Sequence, residues 1–205
     1  MFVKICGITS IEDAYYCVES GADAIGLNFY PSSKRFVTME VADLIIREVS
    51  PFVRVVGLFV KPDLEQIMRI SDELLLDGIQ VYEPQFNLYD YSLSKPLYLS
   101  IRVKSANDIV AASKLPGDLI FLDTFVEGEY GGTGRAIDHE ILLSSGMDFS
   151  FKFVISGGLT PENVSEVVRI LKPYGVDVAS GVEIYPGKKD KEKVNKFIEK
   201  AKGII

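Results

Sequence analysis

The 205-residue sequence has no tryptophan, one histidine and two cysteines, and each scarcity removes a class of chemistry. A single imidazole, His139, cannot build a histidine-rich zinc centre or a mechanism that needs two histidines. Cys6 and Cys17 stand in no metal-ligand spacing, and a lone pair of thiols is too few for a secreted disulfide scaffold. No apolar run approaches the ~18–20 residues of a membrane span, and the opening MFVKICGITS lacks the long apolar block of a signal peptide, so the chain reads as cytoplasmic. Positive charge is scarce as well: 22 basic against 29 acidic residues leave a formal charge of -7. Such a balance offers no general attraction to nucleic acid or anionic lipid, and an anionic ligand must be held locally. The expectation is no metal, no nucleic-acid partner and no membrane.

What the chain does have is alternation. Short apolar runs at 2–6, 24–29, 53–59, 78–81, 97–103, 119–122, 151–155 and 176–179 are bounded by polar residues, glycine or proline and read as strands. Between them, Ile11, Ala14, Tyr15, Val18 and Val164, Val167, Val168, Leu171 follow the spacing of amphipathic helices, as do Val194, Phe197, Ile198, Ala201 near the end. Thr9 with Glu12 has the form of a capping box, and Thr160 before Pro161 that of an N-cap followed by the first helical position. Strands apolar on both faces, alternating with such helices and uninterrupted by a linker, imply a parallel sheet in one domain, residues 1–205. Eight units predict a single (β/α)8 TIM barrel of near minimal length, with a doubly wound open sheet as the alternative. Polar or glycine-rich turns scattered after several strands favour the ring. The stretch YEPQFNLYDYSLSKP, 82–96, lacks helical spacing and predicts a short or irregular fourth helix.

Candidate chemistry gathers where strands end. Ser156, Gly157 and Gly158 lie between the seventh strand and a helix start, where glycines let backbone N–H groups approach an anion. Ser180 and Gly181 repeat the device after the eighth strand, and the two loops together form a candidate phosphate site; tight turns alone are the plain reading. Cys6 ends the first strand and is a candidate base, although buried cysteines are mostly small hydrophobes, as Cys17 is expected to be. Asp123 closes the apolar run LIFL, where a carboxylate is costly unless it meets solvent or a ligand, and is the acid–base candidate. Asp177 is either a structural hydrogen-bonding residue or a substrate contact. Arg35 could bind a carboxylate through its planar fork. The glycine-rich loop 124–136 is expected to act as a lid, His139 to sit at the surface or cap a helix, and Tyr82 to pack.

The segments KICGIT, FYPSSKR, LDTFVEGEYGGTGR, SGGLTPENV, VDVASGVE and PGKKD, in that order from residue 4 to residue 190, resemble the phosphoribosylanthranilate isomerase family of tryptophan biosynthesis. The resemblance implies a (β/α)8 barrel and a cofactor-free Amadori rearrangement of a phosphorylated aminosugar. It further implies Cys6 as general base, Asp123 as general acid, Arg35 as the contact for the anthranilate carboxylate, and the two glycine-bearing loops as the phosphate grip. Gln80 matches the glutamine of the family's Q-L-H-G, a candidate substrate contact, but this chain continues with Val81, Tyr82 and Glu83 and has Ser100 where a lysine is common. The positive ends of the barrel helices are the expected support for a Cys6 thiolate. Competing readings are another phosphosugar barrel enzyme, such as the histidine-pathway aminoaldose isomerase, and a non-catalytic phosphate-binding module.

Overall fold

The computed structural model describes residues 1–92, 95–124 and 151–204. Strands β1 (Phe2–Cys6), β2 (Ala24–Asn28), β3 (Arg54–Val60), β4 (Gly78–Tyr82), β5 (Leu97–Val103), β6 (Leu119–Thr124), β7 (Phe153–Ile155) and β8 (Gly175–Val178) pair in parallel and in chain order. β1 also pairs with β8, so the sheet closes into a barrel and the open-sheet alternative falls. Helices α1 (Ile11–Glu19), α2 (Met39–Val49), α3 (Leu64–Leu74), α4 (Ala106–Ala112), α5 (Val164–Leu171) and α6 (Lys191–Lys202) alternate with them.

The two faces of each strand have different work. One set of alternate residues, including Val3, Ile5, Ile25, Leu27, Ile79, Val81, Ile120 and Leu122, joins the apolar faces of the helices in one large core. The other set fills the barrel. Ala24, Val56, Tyr98, Leu119, Phe121 and Val154 make an apolar cluster, and Cys6, Leu58, Val60 and Tyr82 another. Polar side chains buried on the same alternate positions, Lys4, Gln80, Ser100, Asp123 and Asp177, make the interior less apolar than the strand sequences suggest. Asp23, Asp77 and Asp118, each just before a strand, accept the Val3, Val55 and Leu97 N–H groups at 2.8 Å and satisfy donors at the strand starts.

Three local expectations need correction. Ser10, not Thr9, caps α1, accepting the Asp13 N–H, while the Thr9 hydroxyl donates to the Gly187 carbonyl at 2.6 Å. α5 starts one turn later than Thr160 suggests: Thr160 and Asn163 bracket a turn, the Thr160 N–H donating to Asn163 Oδ1 at 2.8 Å, and Asn163 occupies the N-cap. The strand runs were read slightly wide at 151–155 and one residue late at 176–179. The irregular fourth connection is as expected: between β4 and β5 the described residues hold only a 3-10 turn, Leu88–Asp90. The glycine-rich loop beyond Thr124 and His139 lie outside the described residues.

Closure depends on a glycine. A Cβ on Gly175, the first residue of β8, would lie 2.6 Å from the Phe2 carbonyl oxygen of β1. Gly175→Ala is therefore expected to lose ~1–3 kcal/mol through overpacking at the seam, lowering the melting temperature by several degrees in calorimetry. An unchanged melting temperature would show that the seam yields freely.

Candidate active site

Parallel strands bring their C-terminal ends to one mouth, and the loops that follow them build the site. A pocket lies there, bounded by Cys6 from β1, Asn28 and Arg35 from β2 and its loop, Tyr82 from β4, residues 156–159 after β7, and residues 177–180 at the end of β8 and beyond it. Thus Cys6, Arg35, Asp177, Ser156, Gly157, Gly158 and Ser180, separated in sequence, share one wall. Gly181 supports it from behind: its backbone packs so closely on the Leu159 carbonyl that any side chain would collide, and this contact joins the two candidate phosphate loops. Gly157 and Gly158 adopt φ of +84° and +62°, which suits glycine and turns the chain sharply out of β7. Asn163 braces the turn, donating to the Gly158 carbonyl at 3.0 Å.

Beneath the mouth lies an ion pair. The Lys4 ammonium, with no solvent exposure, donates to Asp177 Oδ1 at 2.9 Å, and Ser156 Oγ donates to Asp177 Oδ2 at 3.1 Å. Asp177 therefore holds the structural role in this state. Lys4 stands two residues before Cys6 and shares its side of β1. A Cβ on Gly26 would lie 2.7 Å from Cys6 Sγ and 3.0 Å from Lys4 Nζ, so this glycine makes room for both groups side by side. Burial pushes the Cys6 thiol up, and the Lys4 ammonium works against it. For Lys4, burial opposes the charge, yet the Asp177 carboxylate and the neighbouring thiol hold its pKa above the ordinary value. The cation beside the thiol is a lysine of the same strand, a support that the sequence reading did not include.

Asp123 sits behind the cavity wall, fully buried. Its Oδ2 accepts the Tyr82 hydroxyl at 2.7 Å and its Oδ1 the Thr124 N–H at 2.8 Å. Burial raises its pKa to about 6; the Tyr82 and Thr124 hydrogen bonds and the Arg102 charge oppose that rise, while Asp177 adds to it. Tyr82, expected only to pack, thus has its ring in the cluster with Cys6 and its hydroxyl on Asp123. The Thr124 hydroxyl is buried there with no hydrogen-bond partner among the described residues.

Two candidates stand differently from expectation. The Arg35 fork is engaged by Glu183, Nε to Oε1 at 2.9 Å and a terminal nitrogen to Oε2 at 2.7 Å, and Gly7 leaves room for its stem. Lys189, also buried, donates to Glu183 Oε1 at 2.8 Å and to the Cys6 carbonyl at 2.6 Å. Gln80 does not bound the cavity; it lies inside the barrel and donates to Ser100 Oγ at 2.8 Å. Lys4, Tyr82, Glu183 and Lys189 were missed as site residues. The period-two face of β1 pointed to Lys4 and that of β4 to Tyr82, whereas no local signal marks Glu183 or Lys189. Among the described residues no group of three or more His, Cys, Asp or Glu could hold a metal ion, and no helix is long and apolar enough to cross a membrane.

Comparison with known proteins identifies the family. A family model described as N-(5'phosphoribosyl)anthranilate (PRA) isomerase matches residues 3–200. The chain is 41% identical over 204 residues to the curated N-(5'-phosphoribosyl)anthranilate isomerase of Thermotoga maritima, covering 98% of both chains, and 40% identical over 200 residues to that of Geobacter sp. (strain M21), covering 98% and 97%. The crystal structure of phosphoribosyl anthranilate isomerase from Thermotoga maritima superposes with a TM-score of 0.88 at 39% identity, covering 99% of each chain. A phosphoribosyl anthranilate isomerase in complex with reduced 1-(o-carboxyphenylamino)-1-deoxyribulose 5-phosphate gives 0.85 at 37% identity, again over 99% of each.

The buried carboxyl gives a stability prediction. A folded-state pKa of about 6 exceeds the unfolded value, so the folded protein binds the proton more tightly. Stability is then greatest at low pH and falls as pH rises through the interval between the two values, by up to ~3 kcal/mol in all. Asp123→Asn abolishes that slope. Urea unfolding at pH 4 and pH 8 should show the variant gaining on the wild type at pH 8; an equal difference at both would contradict the burial penalty.

Proposed function

The chain belongs to the N-(5'-phosphoribosyl)anthranilate isomerase family, and we propose that Asp123 and Cys6 divide the two proton transfers of that family's reaction. The enzyme isomerises N-(5'-phosphoribosyl)anthranilate to 1-(2-carboxyphenylamino)-1-deoxyribulose 5-phosphate in tryptophan biosynthesis. We take residues 1–205 as one catalytic unit working in the cytoplasm.

The rearrangement is balanced internally, C2 being oxidised from alcohol to ketone as C1 is reduced. Asp123 protonates the furanose ring oxygen; the C1–O bond breaks and the nitrogen lone pair forms a Schiff base. The Cys6 thiolate then takes the C2 proton, and the C2–H electron pair moves to give an enolamine. Reprotonation at C1 and loss of the C2 hydroxyl proton yield the aminoketone. The Lys4 ammonium beside Cys6 supports the thiolate. Backbone N–H groups at Gly157–Gly158 and Ser180–Gly181, with the Ser180 hydroxyl, receive the phosphate, and Ser156 shapes that loop through its bond to Asp177. Arg35 receives the anthranilate carboxylate, while Asp177 serves by holding Lys4 and Ser156.

One observation carries the assignment: a buried carboxyl titrating about 6 and a thiol next to a buried ammonium meet at one end of the barrel, linked through Tyr82. The active form has the proton on Asp123 and none on Cys6. Below pH 6 both groups are protonated and activity is lost; above the thiol's raised value both are bare and activity is lost again. Hence kcat/KM should rise through pH about 6 and fall above the thiol's pKa. Cys6→Ala and Asp123→Asn should each lower kcat by ~10²–10⁴ in a fluorescence turnover assay, and near-normal turnover in either removes that residue from its role. Gly157→Val should lower kcat as well as raise KM, because its Cβ would lie 2.5 Å from Asp123 Oδ1. A change in KM alone would separate the phosphate loop from the acid.

A further inference from the structure

The acid of the preceding section is a carboxyl whose orientation has to be fixed by something. A carboxyl at a strand end turns about its terminal bond, and proton transfer demands one oxygen at one place. Asp123 is fully buried on β6, and among the described residues one of its oxygens is tied only to the backbone N–H of the next residue, Thr124. The other receives the Tyr82 hydroxyl at 2.7 Å from β4, two strands away around the barrel. Tyr82 itself is 2% exposed, and its ring packs in the cluster of Cys6, Leu58 and Val60, so it has little freedom to move. From this geometry we propose that Tyr82 is the positioning residue of the acid, its hydroxyl pinning Oδ2 of Asp123 so that the carboxyl acts from a single orientation.

The inference rests on Asp123 being the acid, and the chemistry of the pair makes it testable. Each carboxyl oxygen spends one lone pair on its donor, leaving others to carry the transferable proton. The phenol stays protonated, since burial and then the Asp123 charge push it well above 10, so it donates across the whole working range. A permanent donor stabilises the carboxylate more than the acid and holds the Asp123 pKa down against burial. Among the described residues, the other charged or titratable groups acting on the pair are Arg102 on β5, which lowers the Asp123 value, Asp177 on β8, which raises both, and Cys6 on β1, which raises the tyrosine. None of these is altered by exchanging Tyr82.

The experiment is the kcat/KM–pH profile of the full chain as wild type, Asp123→Asn, Tyr82→Phe and Tyr82→His. Tyr82→Phe keeps the ring and removes the donor. Its ascending limb should move up by about one pH unit, a tenfold change in the ionisation constant, with KM within about twofold of wild type. The descending limb, set by the thiol, should stay. Tyr82→His keeps an N–H donor, charged or neutral, so its ascending limb should lie at or below the wild-type position; it also carries the test if Tyr82→Phe melts early. An ascending limb unmoved in Tyr82→Phe, or moved up equally in both variants, would reduce the tyrosine to packing and overturn the proposal. If Asp123→Asn instead keeps its activity and its ascending limb, the acid assignment fails first, and the two failures are thereby told apart.

Discussion

An ammonium with no access to water must have a counter-charge, and in this barrel the partner of Lys4 comes from the opposite end of the chain. Lys4 and Asp177 are register partners where β1 meets β8, so the last strand can join the first only with that carboxylate beside that ammonium. Slipping the seam by one residue would turn Asp177 outward into the apolar layer and leave a lysine unpaired inside. The pair therefore selects one way of closing the ring. The same two groups then serve the mouth: Asp177 takes the Ser156 hydroxyl at the start of one candidate phosphate loop, and Lys4 lies beside the thiol that ends β1.

The ring itself was legible in the sequence because each strand is apolar on the side that faces the helices, a property of neighbouring residues. The strand ends that bear Cys6, Asp123 and the two serine–glycine turns were legible for a similar reason, since a polar residue closing an apolar run is conspicuous. What escaped were relations between distant segments. Lys4 and Asp177 are separated by 173 positions, and Lys189 and Cys6 by 183. The same distance explains the mistaken cap of α1. Thr9 and Ser10 are equivalent locally, and a carbonyl at Gly187, far along the chain, draws the threonine away. Gln80 shows the same limit in another manner: the motif marks the residue, but only the barrel shows that its amide donates to Ser100.

The wall between β3 and β5 shows how the ring tolerates a missing helix. Lys61 and Glu83, just past the ends of β3 and β4, both take left-handed backbone conformations, with φ of 50° and 46°, uncommon for residues with side chains. They lie together, Lys61 Nζ 3.6 Å from Glu83 Oε2, and Arg102 joins Glu83 from β5. Three adjacent strand ends are thus linked by charge where the described residues of the connection hold only a 3-10 turn. Tyr82 is the residue before that strained position, and its backbone carbonyl accepts the Lys61 N–H at 2.8 Å, so the ring that reaches Asp123 is anchored at both ends.

In the role proposed for it, Arg35 would both hold a charged ligand and let it go. Its guanidinium is already matched to a carboxylate, so a ligand carboxylate arriving at that fork exchanges partners instead of filling a vacancy, and only the difference between two similar pairings contributes to affinity. Glu183 is not abandoned by the exchange, because Lys189 remains 2.8 Å from it. A resident carboxylate with a second cation acts like a spring-loaded placeholder: it lowers the barrier to departure as much as it discounts arrival. For a catalyst that must release a product bearing the same carboxylate as its substrate, turnover is better served by such a reversible grip than by a tighter one.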